Sequence, residues 1–109
     1  MTANLQVNFE PIRTVAFGSI TGSFATLGSV FAHPIRIICL TNTTNQDMFF
    51  SINGTDTQIV VVAGGFKLFD MTTNSFLNAK DFALPKGTQV YVKYSSAPTS
   101  GNIYLETVF

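Results

Sequence analysis

Ile35-Arg36-Ile37-Ile38-Cys39-Leu40, then Thr41-Asn42-Thr43-Thr44-Asn45-Gln46-Asp47, then Met48-Phe49-Phe50-Ser51-Ile52, decide how this chain is read. After them come Asn53-Gly54, the run Gln58-Ile59-Val60-Val61-Val62, Gly64-Gly65, and Phe66-Lys67-Leu68-Phe69-Asp70 ahead of Thr72-Thr73. Four short apolar runs are divided by Asn, Thr and Gly clusters, and none is long enough for a helix. Short apolar runs punctuated by turn residues predict antiparallel strands. Asn53-Gly54 tolerates positive φ and predicts a two-residue hairpin tip between Met48–Ile52 and Gln58–Val62.

Outward from that core the same grammar holds. Thr88–Tyr94 alternates, with Val90 and Val92 on one face and Tyr91 and Lys93 on the other. Ile103–Phe109 reads as the last strand, after the Ser95–Gly101 loop. Phe82-Ala83-Leu84 reads as a short strand or loop before the turn Pro85-Lys86-Gly87. Arg13–Ile20 alternates weakly through Val15 and Phe17. In Thr21–Phe31 the spacing of Phe24, Leu27, Val30 and Phe31 fits a helical turn, but Gly22, Gly28 and the Ser and Thr load oppose one. That segment reads as a loop with extended pieces. Leu5, Val7 and Phe9 alternate ahead of Pro11, so residues 1–10 read as a strand or an N-terminal assembly arm.

The expected fold is therefore all-β: a single antiparallel β-sandwich over residues 1–109, jelly-roll-like or Ig-like, of about eight short strands. Helix should account for under a tenth of the chain. The 109 residues fit one domain, and 46% hydrophobic content supplies a core in which the eleven Phe dominate. Only 11% of residues are charged, against about 25% in an average soluble protein. The six basic and six acidic residues are scattered. A nucleic-acid binder needs clustered Lys and Arg, so none is expected as a partner. Polarity comes instead from 14 Thr, 8 Ser and 8 Asn. Uncharged polar groups suit a surface covered by neighbours, and Thr also simply suits strands.

Candidate sites are few. His33 is the only histidine and precedes Pro34, which holds it extended, and there is no Gly-x-Ser-x-Gly elbow. It reads as a surface or structural residue. His33 and Cys39 alone do not make a zinc site. Cys39 lies in an apolar run that reads as buried on both faces, hence an inert thiol. Asn53-Gly54-Thr55-Asp56 lacks the carboxylates of a calcium loop. Gly64-Gly65 is followed by no helix start or phosphate-binding Lys. Asp70 reads as an Asx-turn former beside Thr72-Thr73-Asn74. Asn42-Thr43-Thr44 and Asn53-Gly54-Thr55 fit the glycosylation pattern and mark exposed turns. Tyr91, Tyr94 and Tyr104 offer an aromatic platform for sugars or bases, though strand-face packing is the plainer use. No catalytic, cofactor-binding or metal residue is assigned, and neither an enzyme nor a cofactor is expected. The start lacks a signal-peptide pattern and no run reaches the ~20 residues of a membrane span.

Taken in order, Leu40-Thr41-Asn42-Thr43-Thr44, Ser51-Ile52-Asn53-Gly54-Thr55-Asp56, Val62-Ala63-Gly64-Gly65, Phe69-Asp70, Leu84-Pro85-Lys86-Gly87-Thr88-Gln89-Val90-Tyr91-Val92-Lys93 and Ala97-Pro98-Thr99-Ser100-Gly101-Asn102-Ile103-Tyr104 resemble small virion structural proteins of tailed bacteriophages. The likeness covers residues 35–109. It implies a β-sandwich present in many copies at the neck, tail or capsid surface, made in the host bacterial cytoplasm and located in the virion. Its implied partners are copies of itself and other virion proteins (portal, tail or capsid), with no membrane. The alternative is a carbohydrate-binding sandwich of a receptor- or cell-wall-binding module.

Overall fold

A computed structural model describes residues 7–71 and 83–109. Its strands are β1 (Arg13–Ala16), β2 (Ala25–Thr26), β3 (Ile37–Asn42), β4 (Met48–Ser51), β5 (Ile59–Val61), β6 (Phe66–Asp70), β7 (Tyr91–Tyr94) and β8 (Asn102–Val108). The one helical element among the described residues is a 3-10 turn at Phe17–Ser19, where the weak alternation after β1 gives out. The all-β expectation holds.

Two four-stranded antiparallel sheets form, ordered β1-β8-β3-β6 and β2-β7-β4-β5. Sequence neighbours mostly fall in opposite sheets, and only β4 and β5 pair as a direct hairpin. This wiring, with the first strand beside the last and the second beside the seventh, is that of a jelly roll rather than an Ig sandwich.

Each sheet turns alternate side chains inward. From β3 come Ile38 and Leu40, from β8 Ile103 and Leu105, from β4 Met48 and Phe50, from β7 Val92, all buried. Loop residues Ile20, Leu27, Phe31, Ile35 and Val90 close the ends of the core. Leu27 and Phe31 are held there by N–H bonds to the carbonyls of Val90 and Thr88. Ile35 and Leu84 exchange two backbone bonds of 2.8 Å.

Two local readings are corrected. Residues 52–58, not two residues, join β4 to β5, because Asn53 is not in the positive-φ conformation that a tight primed turn requires. Its Oδ1 instead accepts the N–H groups of Thr55 and Asp56, while Gly54 alone takes φ +77°. Cys39 is not buried on both faces. It shares the outer face of β3 with Ile37 and Thr41, all half-exposed, since a sandwich sheet has one wet side. The Asx-turn partners suggested for Asp70, residues 72–74, lie outside the described residues, as do residues 1–6 of the suggested arm.

The 41–47 connection is organised from within. Asn42 is fully buried at the end of β3. Its Nδ2 donates to the carbonyls of Gln46, Val61 and Val62, and its Oδ1 accepts from the N–H and hydroxyl of Thr44. Every side-chain polar group of Asn42 thus substitutes for backbone pairing where the strand ends.

Candidate functional site

Two features stand apart from ordinary core and loop. The first is ionic and internal. Register sets Arg13 opposite Leu105, so the guanidinium enters the inner face of the sandwich at its end. There its Nε donates to Ser29 O (2.8 Å), Nη1 to Thr107 Oγ1 (3.2 Å), and Nη2 to Glu10 Oε1 (2.7 Å) and Val30 O (3.1 Å). Its carbon lies over the Phe31 ring.

Glu10, whose side chain is 2% exposed, completes the group. Oε2 accepts the Ala32 N–H at 3.0 Å and lies 2.7 Å from His33 Nδ1. An ionised carboxylate only accepts, so the imidazole presents its proton from Nδ1. The His33 ring is stacked on Phe109, centroids 3.6 Å apart and planes 3° apart. Burial alone raises the Glu10 pKa. The hydrogen bonds from Arg13 and His33, the Arg13 charge and the Ala32 N–H outweigh it and hold the carboxyl below its ordinary 4.5.

This arrangement is a clamp. It joins residue 10, β1, the 29–33 loop and the end of β8. Backbone bonds between Asn8 and Phe109 in both directions and from Glu10 N–H to Thr107 O fasten the same segments. His33 Nδ1 is committed to Glu10, and among the described residues no hydroxyl or thiol hydrogen-bonds to the imidazole. Sequence reading placed His33 as structural or on the surface. It missed Glu10, Arg13 and Thr107. The available signal was Arg13 on the same strand parity as Val15, where an inward charge demands a buried partner.

The second feature is external. On the outer face of the β1-β8-β3-β6 sheet, register brings Phe9, Val108 and Ile37 into one row, Leu68 and Cys39 into the next, and Phe66, Thr41 and Tyr104 into a third. Phe9 is 72% exposed, Phe66 67% and Leu68 57%. Two charges lie within those rows, Asp70 opposite Ile37 and Glu106 opposite Cys39. The patch runs to β6, beyond which no strand lies among the described residues.

The remaining candidates do not converge. Tyr104 belongs to one sheet and Tyr91 and Tyr94 to the other. Tyr94 packs against the core, Tyr91 lies beside Gly54, and Tyr104 Oη accepts from Asn102 Nδ2. The proposed tyrosine platform is therefore not assembled. Among the described residues no group of three or more His, Cys, Asp or Glu is placed to hold a metal, and no helix is long and apolar enough to cross a membrane. An apolar cleft of about 220 Å³ opens between the sheets, lined by Ile38, Ile52, Ile59, Phe69, Met71 and Leu84 with Gln58 at its rim. Comparison with known proteins adds no assignment: no family model matches, and no curated protein or solved structure is significantly similar.

Proposed function

We propose that this chain is a non-enzymatic structural subunit that assembles in multiple copies, as a component of a tailed-phage virion at the neck, tail or capsid surface. The observation that carries the proposal is the outer face of the β1-β8-β3-β6 sheet. Large apolar side chains there, Phe9, Phe66 and Leu68, stand mostly in solvent and adjoin half-buried Ile37, Cys39 and Tyr104. Isolated apolar side chains on a surface need no account, but a contiguous patch marks a contact site. Low charge and many Thr and Asn suit surfaces that neighbours cover.

The virion context rests on the motif resemblance in residues 40–104. The jelly-roll wiring agrees with it, since capsid domains use that wiring, but so do lectins and cupins, so fold carries no function by itself. The carbohydrate-binding alternative loses its main support because the three tyrosines are not brought together.

Light scattering on the purified chain across concentrations, with electron microscopy of any large species and mass spectrometry of purified particles, tests the reading. Concentration-dependent assembly and presence in particles are expected. A chain monomeric at every concentration, absent from particles and bound to a defined glycan would replace this reading with the alternative.

A further inference from the structure

The β6 edge offers a specific way for two copies to meet. Asn42 N–H donates to Gly65 O, and Met71 N–H to Arg36 O, at the two ends of the β3–β6 ladder. Antiparallel pairs alternate between bonded and non-bonded positions. With Ile37 opposite Asp70 and Thr41 opposite Phe66, the odd-numbered residues of β6 bond to β3. Phe66 and Leu68 therefore turn their N–H and C=O groups away from it, toward a side where no strand lies among the described residues.

We infer that β6 pairs antiparallel with β6 of a second copy about a two-fold axis at Leu68, joining two sheets into one. The inference rests on the self-assembly reading above and names its contact. A two-fold axis perpendicular to the sheet keeps outer faces together, so only registers centred on a residue are allowed. Lys67 selects among them. Its side chain shares the inner parity of Leu40 at the rim of the sandwich, the placement that protects an edge from indiscriminate pairing. An axis at Lys67 sets the two ammonium groups directly opposite, which like charges disfavour. An axis at Leu68 sets each Lys67 opposite an aromatic Phe69 of the other copy and Leu68 opposite Leu68. Outside, Leu68 meets Leu68 at the centre, and each Phe66 stands opposite the Asp70 of the other copy.

Leu68 is also the place to test it. Its N–H does not serve the β3–β6 ladder, so Leu68→Pro removes an edge donor and leaves those bonds in place. Leu68→Lys puts a charge on the axis instead. Sedimentation of both variants, with circular dichroism to confirm the β spectrum, should show dimerisation weakened by about tenfold or more. In a Cys39→Ser background, Leu68→Cys should form an intermolecular disulfide on oxidation, since a bonded antiparallel pair stands ~5.5 Å apart at Cα. Phe66→Cys in that background, which keeps Lys67, should not, because residue 66 then faces residue 70. If folded Leu68→Lys dimerises as tightly as the parent, or Phe66→Cys cross-links in place of Leu68→Cys, the Leu68 register is wrong while self-assembly stands. A parent chain monomeric at all concentrations removes both.

Discussion

Arg13 and Leu105 stand directly opposite each other in the β1–β8 ladder, and both are buried. One side chain belongs to the apolar core and the other is a cation. The sandwich can hold the cation only because Glu10, two backbone carbonyls and Thr107 surround it. A buried pair of this kind is weak evidence of net stabilisation, but breaking it is costly because the surviving charge stays buried.

Arg13→Met should therefore lower unfolding stability by about 3–5 kcal/mol, measured by urea denaturation, since it leaves the Glu10 carboxylate without its main partner. Adding Glu10→Gln should restore part of the loss, as coupled neighbours do. Equal and additive losses would mean that the two side chains are not coupled.

Acid should undo the same clamp. Because the folded Glu10 pKa lies below 4.5, the carboxylate contributes stability that is present above 4.5 and lost as pH falls through the folded value. The urea midpoint of the parent should decline as pH drops below 4.5, and Glu10→Gln should show a shallower decline. Identical pH profiles would remove Glu10 from the account.

Gly101 and Gly64 both have positive φ, +93° and +74°, but differ in their surroundings. A Cβ at Gly101 would run into the Thr43 carbonyl and the Thr44 Cα, whereas none meets anything at Gly64. Gly64→Ala should cost only its backbone strain, about 1–2 kcal/mol. Gly101→Ala should cost clearly more, because backbone cannot step aside. Thermal melts of the pair give the comparison.

Gly54→Val should destabilise although Gly54 is not a hairpin tip. Its φ of +77° strains a β-branched residue, and the new Cβ would lie 3.2 Å from the Tyr91 ring. Tyr91→Ala should lessen the penalty by making room, leaving the φ strain. A Gly54→Val melt unchanged from the parent would reject this loop geometry.

Cys39 should react with a thiol reagent in the folded chain without denaturant, because its outer-face position leaves it half-exposed. Protection under conditions where the chain assembles would place neighbours on that face. Complete resistance in the monomer would contradict the orientation of β3.

Much of the fold was legible in the sequence because it is written locally. Alternation in Thr88–Tyr94 and Ile103–Phe109, and the Gly and Asn breaks in residues 35–73, mark strands through backbone preference and side-chain period, which need no distant partner. The limits of that logic appear at Asn53-Gly54 and Cys39. Asn53 has two stable uses, positive φ or side-chain capping of the next N–H groups, and only the longer loop between β4 and β5 selected the second. Ile37-Ile38-Cys39-Leu40 is apolar on both faces, and burial of one face alone follows from β3 lying in a sheet with nothing stacked outside it among the described residues.

Local patterning thus settles that strands form and where most of them lie. Tertiary structure alone decided that β1 meets β8 and β2 meets β7, because pairing across most of the chain is settled by which faces bury together. The same closure made the clamp. Glu10, His33 and Thr107 come from distant positions, and no local pattern joins them. It also left Phe66 and Leu68 in solvent: their strand was readable, but an outermost place in the sheet is a property of the packed sandwich.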